Sequence, residues 1–308
     1  MKYSKQIFGF LAIFVAIVVS ELGAYAQSSS LSGSQIIRFT KQTEEPEEAK
    51  EPKPETEEKS AVEWYNQGFD KLEAGDFRGA IAAFTRSIAL NDEDADTYYN
   101  RAYAYLALGE YKQALEDYNK TIELKPDYVY AYGNRCYAFY LMQQYEAAIS
   151  DCTQAIQLES KFADFYIYRG SAQNELGKYR DAIADYDEAI DLNQDNAEVY
   201  YKRAIAHTRL KEYRKALEDY TQSLRLDDSL ADAFYGRGIV NSQLGNKEDA
   251  IADLEKAAKL FSEQNKPEDS KKALETLNSL NSGASEEETE SVERQEGQGE
   301  QESEGIGE

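Results

Sequence analysis

From Ala61 onward, the pattern of apolar and polar positions repeats every 34 residues without insertion. Taking Ala61 as place 1 gives six units: 61–94, 95–128, 129–162, 163–196, 197–230 and 231–264. Within a unit, apolar residues fall at helical spacing on both sides of a turn, as Leu115, Tyr118 and Ile122 do after Gly109. Each unit is therefore predicted to be two helices joined near place 15, where Gly75, Gly109, Gly177 and Gly245 stand. Place 20 is always Ala and place 30 always Leu. Place 4 is always aromatic, and place 8 is always small: Gly68, Ala102, Cys136, Gly170, Ala204 and Gly238. Small residues at places 8 and 20 suit the point where two helix axes come closest. A single hairpin cannot bury its apolar face, but stacked neighbours can, so the six units are expected to form one cooperative array.

This spacing, with its small, aromatic and Ala places, resembles the tetratricopeptide repeat (TPR) family over 204 of the 308 residues. The resemblance implies an all-α fold, a right-handed superhelical solenoid of six helix-turn-helix repeats. Departures are few: the Pro expected near each unit's end survives only as Pro126, an aromatic place is Lys247 in the last unit, and place 7 carries Arg where Leu is common. After the last unit, Pro267 opens a segment in which Ala273, Leu274, Leu277 and Leu280 share one helical face. A capping helix over 265–280 is expected, with order ending near Leu280.

The flanks follow another logic. Lys2 and Lys5 precede an apolar run from Ile7 to Val19, and Ala24-Tyr25-Ala26 stands before Gln27, the pattern of a cleaved signal peptide over 1–26. An exported protein, periplasmic or secreted, is expected; the alternative is an inner-membrane anchor formed by the uncleaved segment. Residues 27–60 are an acidic, Pro-containing linker, with eight Glu against four Lys over 41–59. Residues 281–308 are an acidic tail with ten Glu and one Arg. Both are expected to be disordered. The net charge of -24 repels phosphate backbones, which excludes nucleic acid as a partner class.

Arg at place 7 and Asp at place 23 occur together in five consecutive units: Arg101 with Asp117, Arg135 with Asp151, Arg169 with Asp185, Arg203 with Asp219, and Arg237 with Asp253. On a hairpin turning near place 15 these places lie at similar heights, so ion pairs are expected to set the stacking register; the competing reading is a row of anion ligands. Cys136 and Cys152 are the only cysteines and occupy places 8 and 24 of one unit. Facing each other across the hairpin, they form either a disulfide or two buried thiols. His207 is the only His and sits where other units carry packing residues. With no second His and no glycine-rich phosphate loop, neither a catalytic set, nor a metal site, nor a cofactor is expected.

Family resemblance implies that the first helices line a concave groove through places 2, 5, 9, 12 and 13. Units one to three contribute Tyr65, Phe69, Leu72, Tyr99, Tyr103, Leu106, Tyr130, Tyr137, Tyr140 and Leu141, an aromatic stretch larger than soluble proteins leave uncovered. Later units add Ile167, Tyr201 and Tyr235 among polar residues such as Asp164, Glu198 and Asp232. The partner class that matches is a protein or peptide with an apolar segment flanked by basic residues. The alternative is that these aromatics pack between units. The chaperone-tail clamp of related domains is disfavoured, because its Lys and Asn places read Tyr65 and Phe69, or Tyr99 and Tyr103. The expected function is a non-enzymatic scaffold that holds a partner segment, assembling an envelope complex; the alternative is a self-associating or membrane-tethered spacer.

Overall fold

The computed structural model describes residues 59–282, which form thirteen helices and no strand. The chain divides into two compact units, the first ending at Asp181 and the second beginning at Ala182. The first holds the hairpins α1 (Ala61–Glu73) with α2 (Phe77–Leu90), α3 (Ala95–Ala107) with α4 (Tyr111–Leu124), and α5 (Val129–Leu141) with α6 (Tyr145–Leu158), followed by α7 (Ala163–Glu175). The break falls inside α8 (Tyr179–Leu192). The second unit continues with α9 (Ala197–Arg209), α10 (Tyr213–Leu226), α11 (Ala231–Leu244) and α12 (Lys247–Glu263), then α13 over 267–282. The leader read from the sequence lies outside the described residues, as do the linker up to residue 58 and the acidic tail from residue 283.

The 34-residue period is visible as one local design used repeatedly. Ser60 opens α1 through a capping box: its hydroxyl accepts the Glu63 N–H, and Glu63 Oε2 accepts the Ser60 N–H at 2.7 Å. Asp76 and Asn196 cap α2 and α9 in the same sense. Each hairpin turn places one residue in the left-handed region, and the next N–H returns to the carbonyl five residues back: Asp76 donates to Lys71 O and Glu110 to Tyr105 O. This closure leaves few helix-end carbonyls orphaned. Glycine supplies the positive φ at Gly75, Gly109, Gly177 and Gly245, whereas Gln143 and Lys211 adopt φ 59° with a side chain in place. The steric cost of a side chain there is small enough for the fold to absorb, so glycine marks only four of the six turns.

Helix contact is set by the small places. All six place-20 alanines are fully buried, and a Cβ on Gly68 would come within 2.6 Å of the Phe84 ring. In the second unit, a Cβ on Gly238 would press on Leu254 and on the Ala250 carbonyl. The place-30 leucines behave differently: Leu90, Leu158 and Leu192 are exposed although Leu recurs there in every repeat.

The Arg and Asp columns hold the repeats in register. In the four pairs whose members share a compact unit, Arg Nε and Nη2 donate to both carboxylate oxygens, with distances of 2.7 and 2.7 Å for Arg101–Asp117 and 2.6 and 2.8 Å for Arg135–Asp151. Arg203–Asp219 and Arg237–Asp253 repeat the geometry. The remaining Nη1 reaches back to place 25 of the preceding repeat: Arg101 to Thr85, Arg135 to Asn119, Arg169 to Thr153, Arg203 to Asp187 and Arg237 to Thr221. One guanidinium thus ties its own hairpin and links it to its neighbour, a task for which a planar five-donor fork is suited and an ammonium is not. These Arg side chains also lie over the place-4 rings, 5.7 Å from the Tyr98 centroid and 5.5 Å from that of Tyr132.

Helix α13 packs through Ala273 and Leu277, both buried, and Ser270 Oγ donates to the Ala258 carbonyl at 2.8 Å. Leu274, placed on that face by its spacing, is instead exposed. The packed line runs from half-buried Ser270 to buried Ala273 and Leu277, which follows the 3.6-residue period and leaves position 274 one step around the helix.

Candidate functional site

The sequence places thirteen apolar residues on the groove, and the structure sorts them by depth. Tyr65, Phe69, Leu72, Tyr99, Tyr103, Leu106 and Ile167 are buried. Tyr130, Tyr137, Tyr140, Leu141, Tyr201 and Tyr235 are half-buried. None of the thirteen is exposed, so the expected uncovered aromatic stretch is corrected: the first two repeats commit these side chains to packing.

The reason lies in a contact between successive repeats. Place-5 tyrosines reach the place-6 Asn of the following repeat, 35 residues on: Asn100 Nδ2 donates to Tyr65 Oη at 3.1 Å, and Asn134 Nδ2 donates to Tyr99 Oη at 3.0 Å. The rings are held as well. Tyr65 stacks on Phe69, while Tyr99 stacks on Tyr128 with centroids 5.0 Å apart. Burial pushes the Tyr99 phenol well above its ordinary value, which fixes it as a neutral hydroxyl.

Repeat three breaks the pattern. Place 5 is Gly133, against which the Phe165 ring packs so closely that a Cβ there would overlap Cε1. Place 6 of the next repeat is Tyr168, whose ring stacks on Tyr137 at 4.7 Å. Tyr130 meets Phe162 edge-on at 5.3 Å, and Tyr140 is tilted against Tyr145 at 5.9 Å. Here the groove side chains keep part of their surface in solvent. In the second unit Tyr201 leans on Tyr220, and Tyr235 Oη lies 3.3 Å from Thr276 Oγ1 of α13.

Acidic side chains at place 2 complete the picture. Asp164, in the first turn of α7, has its carboxyl pushed up to about 6 by burial. Among the described residues no ion pair reaches it. In the second unit burial also raises Glu198 and Asp232, partly offset by Lys202 and Lys266 respectively. The sequence marks these acids only as polar neighbours and carries no signal for their depth, since an Asp in a first helical turn is usually a solvated partner of the helix dipole.

Cys136 and Cys152 are joined by a disulfide with Cα–Cα 5.4 Å, and both are fully buried between α5 and α6. His207 is buried, with Nδ1 2.8 Å from Glu212 Oε2. Among the described residues no three His, Cys, Asp or Glu gather as metal ligands, and no helix is long and apolar enough to cross a membrane.

Comparison with known proteins agrees with this repeat geometry. Models of the tetratricopeptide repeat match residues 95–128, 197–230 and 231–264, and a TPR repeat model matches 170–211. No curated protein matches the chain. Among solved structures it is similar to YrrB, a TPR protein with an unusual peptide-binding site, at 25% identity and TM-score 0.53, over 62% of this chain and 99% of that one. It is similar in fold to MamA from Desulfovibrio magneticus RS-1, at 20% identity and TM-score 0.53, over 55% of this chain and 96% of that one. A further fold likeness is to the Cut9–Hcn1 structure, at 18% identity and TM-score 0.57, over 70% of this chain and 43% of that one. With a uniform 34-residue period, hairpins closed by left-handed turns and repeat models matching in both units, the chain belongs to the tetratricopeptide-repeat family.

Proposed function

We propose that the protein is a non-catalytic binding module that holds a segment of another protein against the first-helix face of its N-terminal unit. The observation that carries this reading is α5, where Tyr130, Tyr137, Tyr140 and Leu141 all remain half-buried on one helix. Tyrosines of this kind offer a ligand apolar area and a polar tip at little entropic cost. Helix α7 packs beside α5 and contributes Asp164. An apolar segment flanked by basic residues suits that combination. Similarity to YrrB, whose description includes peptide binding, supports the same class of ligand.

The protein acts outside the cytosol in this reading, in the periplasm or secreted, where it assembles or retains an envelope complex. The leader-like residues 1–26 support export, and a buried disulfide suits an oxidising compartment. The intact mass of the native protein checks it: a chain starting at Gln27 is expected, and one starting at Met1 would mean a retained anchor.

Binding is tested by cross-linked pull-down from the native host, comparing wild type with Tyr130→Ala, Tyr140→Ala, Leu141→Ala. Tyr65 and Tyr99 are left alone because they hold neighbouring repeats together. Loss of a specific protein from a variant that melts like wild type is the expected result. Equal capture by both forms would sink the assignment of this face.

A further inference from the structure

We propose that the chain's own segment Gln35-Ile36-Ile37-Arg38-Phe39-Thr40-Lys41 docks on the first-helix face of the N-terminal unit, so that an external ligand must displace it. This rests on the peptide-binding reading above and names the resting occupant of the same face. Between Gln27 and Ser60, the large apolar side chains are Leu31, Ile36, Ile37 and Phe39, and three of the four fall within residues 36–39. The rest of the stretch, rich in Ser, Glu, Pro and Lys, offers nothing to cover them. As an extended strand, the segment would direct Ile37 and Phe39 to one side and Ile36, Arg38 and Thr40 to the other. Its pattern is the apolar run with basic residues that the face itself calls for.

Charge points the same way. No acidic residue lies between Gln27 and Thr43, so Arg38 and Lys41 give the segment a net positive charge. The face presents Asp96 in the first turn of α3 and Asp164 in that of α7. Asp164 is the sharper partner, because a partly buried carboxylate that no ion pair reaches among the described residues gains most from an arriving guanidinium.

Reach allows it. Residues 42–60 give nineteen links between Lys41 and the start of α1. Such a tether spans about 24 Å as a flexible coil and up to roughly 65 Å when extended. First helices about 10 Å apart put α7 roughly 30 Å from α1, which is within range. For a linker of this length the effective concentration of the segment at the face is on the order of 1 mM. A segment with an intrinsic Kd of about 100 μM would then occupy the face roughly nine-tenths of the time and weaken an external ligand about tenfold.

The test titrates a fluorescein-labelled peptide of residues 33–43 into protein expressed from the full 308-residue sequence, and into its Ile37→Asp, Phe39→Asp variant. Both substitutions lie outside residues 59–282, so the repeats are unchanged. The variant is expected to bind the peptide about tenfold more tightly than wild type. Adding Tyr130→Ala, Tyr140→Ala, Leu141→Ala to the variant is expected to abolish that binding. Equal affinities for wild type and variant would overturn docking within one chain, as would a wild-type dimer by light scattering that the variant lacks, which would assign the segment to a second copy. If the variant ignores the peptide while the pull-down still shows a groove-dependent protein, this inference falls and the binding reading stands. If neither assay shows binding, both fall.

Discussion

Replacing Arg101 with Met is expected to destabilise the protein far more than loss of an ordinary surface ion pair. Arg101 makes two bonds of 2.7 Å to Asp117 and a third of 3.0 Å to Thr85, and its side chain is only 17% exposed against 7% for Asp117. Burial disfavours the Arg101 charge, but its bonds to Asp117 and the attraction of that carboxylate outweigh it and raise the guanidinium's pKa. At Asp117 burial wins, and the carboxyl lies above its ordinary value despite its partner. The bidentate geometry makes this an ion pair whose gain and dehydration cost nearly cancel. Removing only Arg101 leaves the carboxylate buried without its fork, which costs about 3–5 kcal/mol. At about 2–4 °C per kcal/mol for an ordered region of this size, the melting temperature should fall by on the order of 10 °C. The double variant Arg101→Met, Asp117→Leu removes both charges and should recover most of that loss. Urea and thermal unfolding of wild type, both single variants and the double variant form the cycle that measures the coupling. A cost below about 1 kcal/mol for Arg101→Met would refute the reasoning, since that is the range of a solvated pair.

Three further outcomes follow from the same structure. Reducing Cys136–Cys152, whose loop spans 16 residues, should lower unfolding free energy by about 3 kcal/mol, measured by urea denaturation with and without reductant. Gly133→Ala should cost about 1–3 kcal/mol by the same assay, because the new methyl meets the fully buried ring of Phe165. Asp164 adds a pH dependence: its folded value, about 6, lies above the ordinary 3.8, so its contribution to stability is complete below about pH 4 and lost as pH rises through 6. In the Ile37→Asp, Phe39→Asp background, where no cation from the segment approaches, Asp164→Asn should flatten that slope and raise stability at pH 7 by on the order of 2 kcal/mol; equal slopes with and without the substitution between pH 4 and 7 would show that the carboxyl is solvated.

The repeat, its hairpins and the Arg–Asp columns were legible in the sequence because each is a local rule stated many times. Helical spacing needs only neighbouring residues, and a fixed 16-residue separation between Arg and Asp recurs from repeat to repeat. The small places were legible for the same reason: Gly68 and Ala80 answer one steric demand wherever two helices approach. Even the disulfide was narrowed to two alternatives by the places its cysteines share.

Depth was decided by tertiary structure. Tyr103 and Tyr137 occupy the same place in adjacent repeats, yet Tyr103 is buried and Tyr137 only half so. What separates them comes from other repeats: Tyr103 packs into the cluster of Tyr65, Phe69 and Phe84, while Tyr137 lies against Tyr168. Place 5 differs in the same way, since Asn134 donates to the Tyr99 hydroxyl whereas Gly133 leaves room for the Phe165 ring. Asp164 likewise reads as an ordinary first-turn acid until its surroundings bury part of it and raise its carboxyl. A periodic sequence determines which positions face a neighbour, because that follows from helix geometry; how far each side chain is removed from solvent depends on the volumes and hydrogen-bonding groups brought beside it from other repeats.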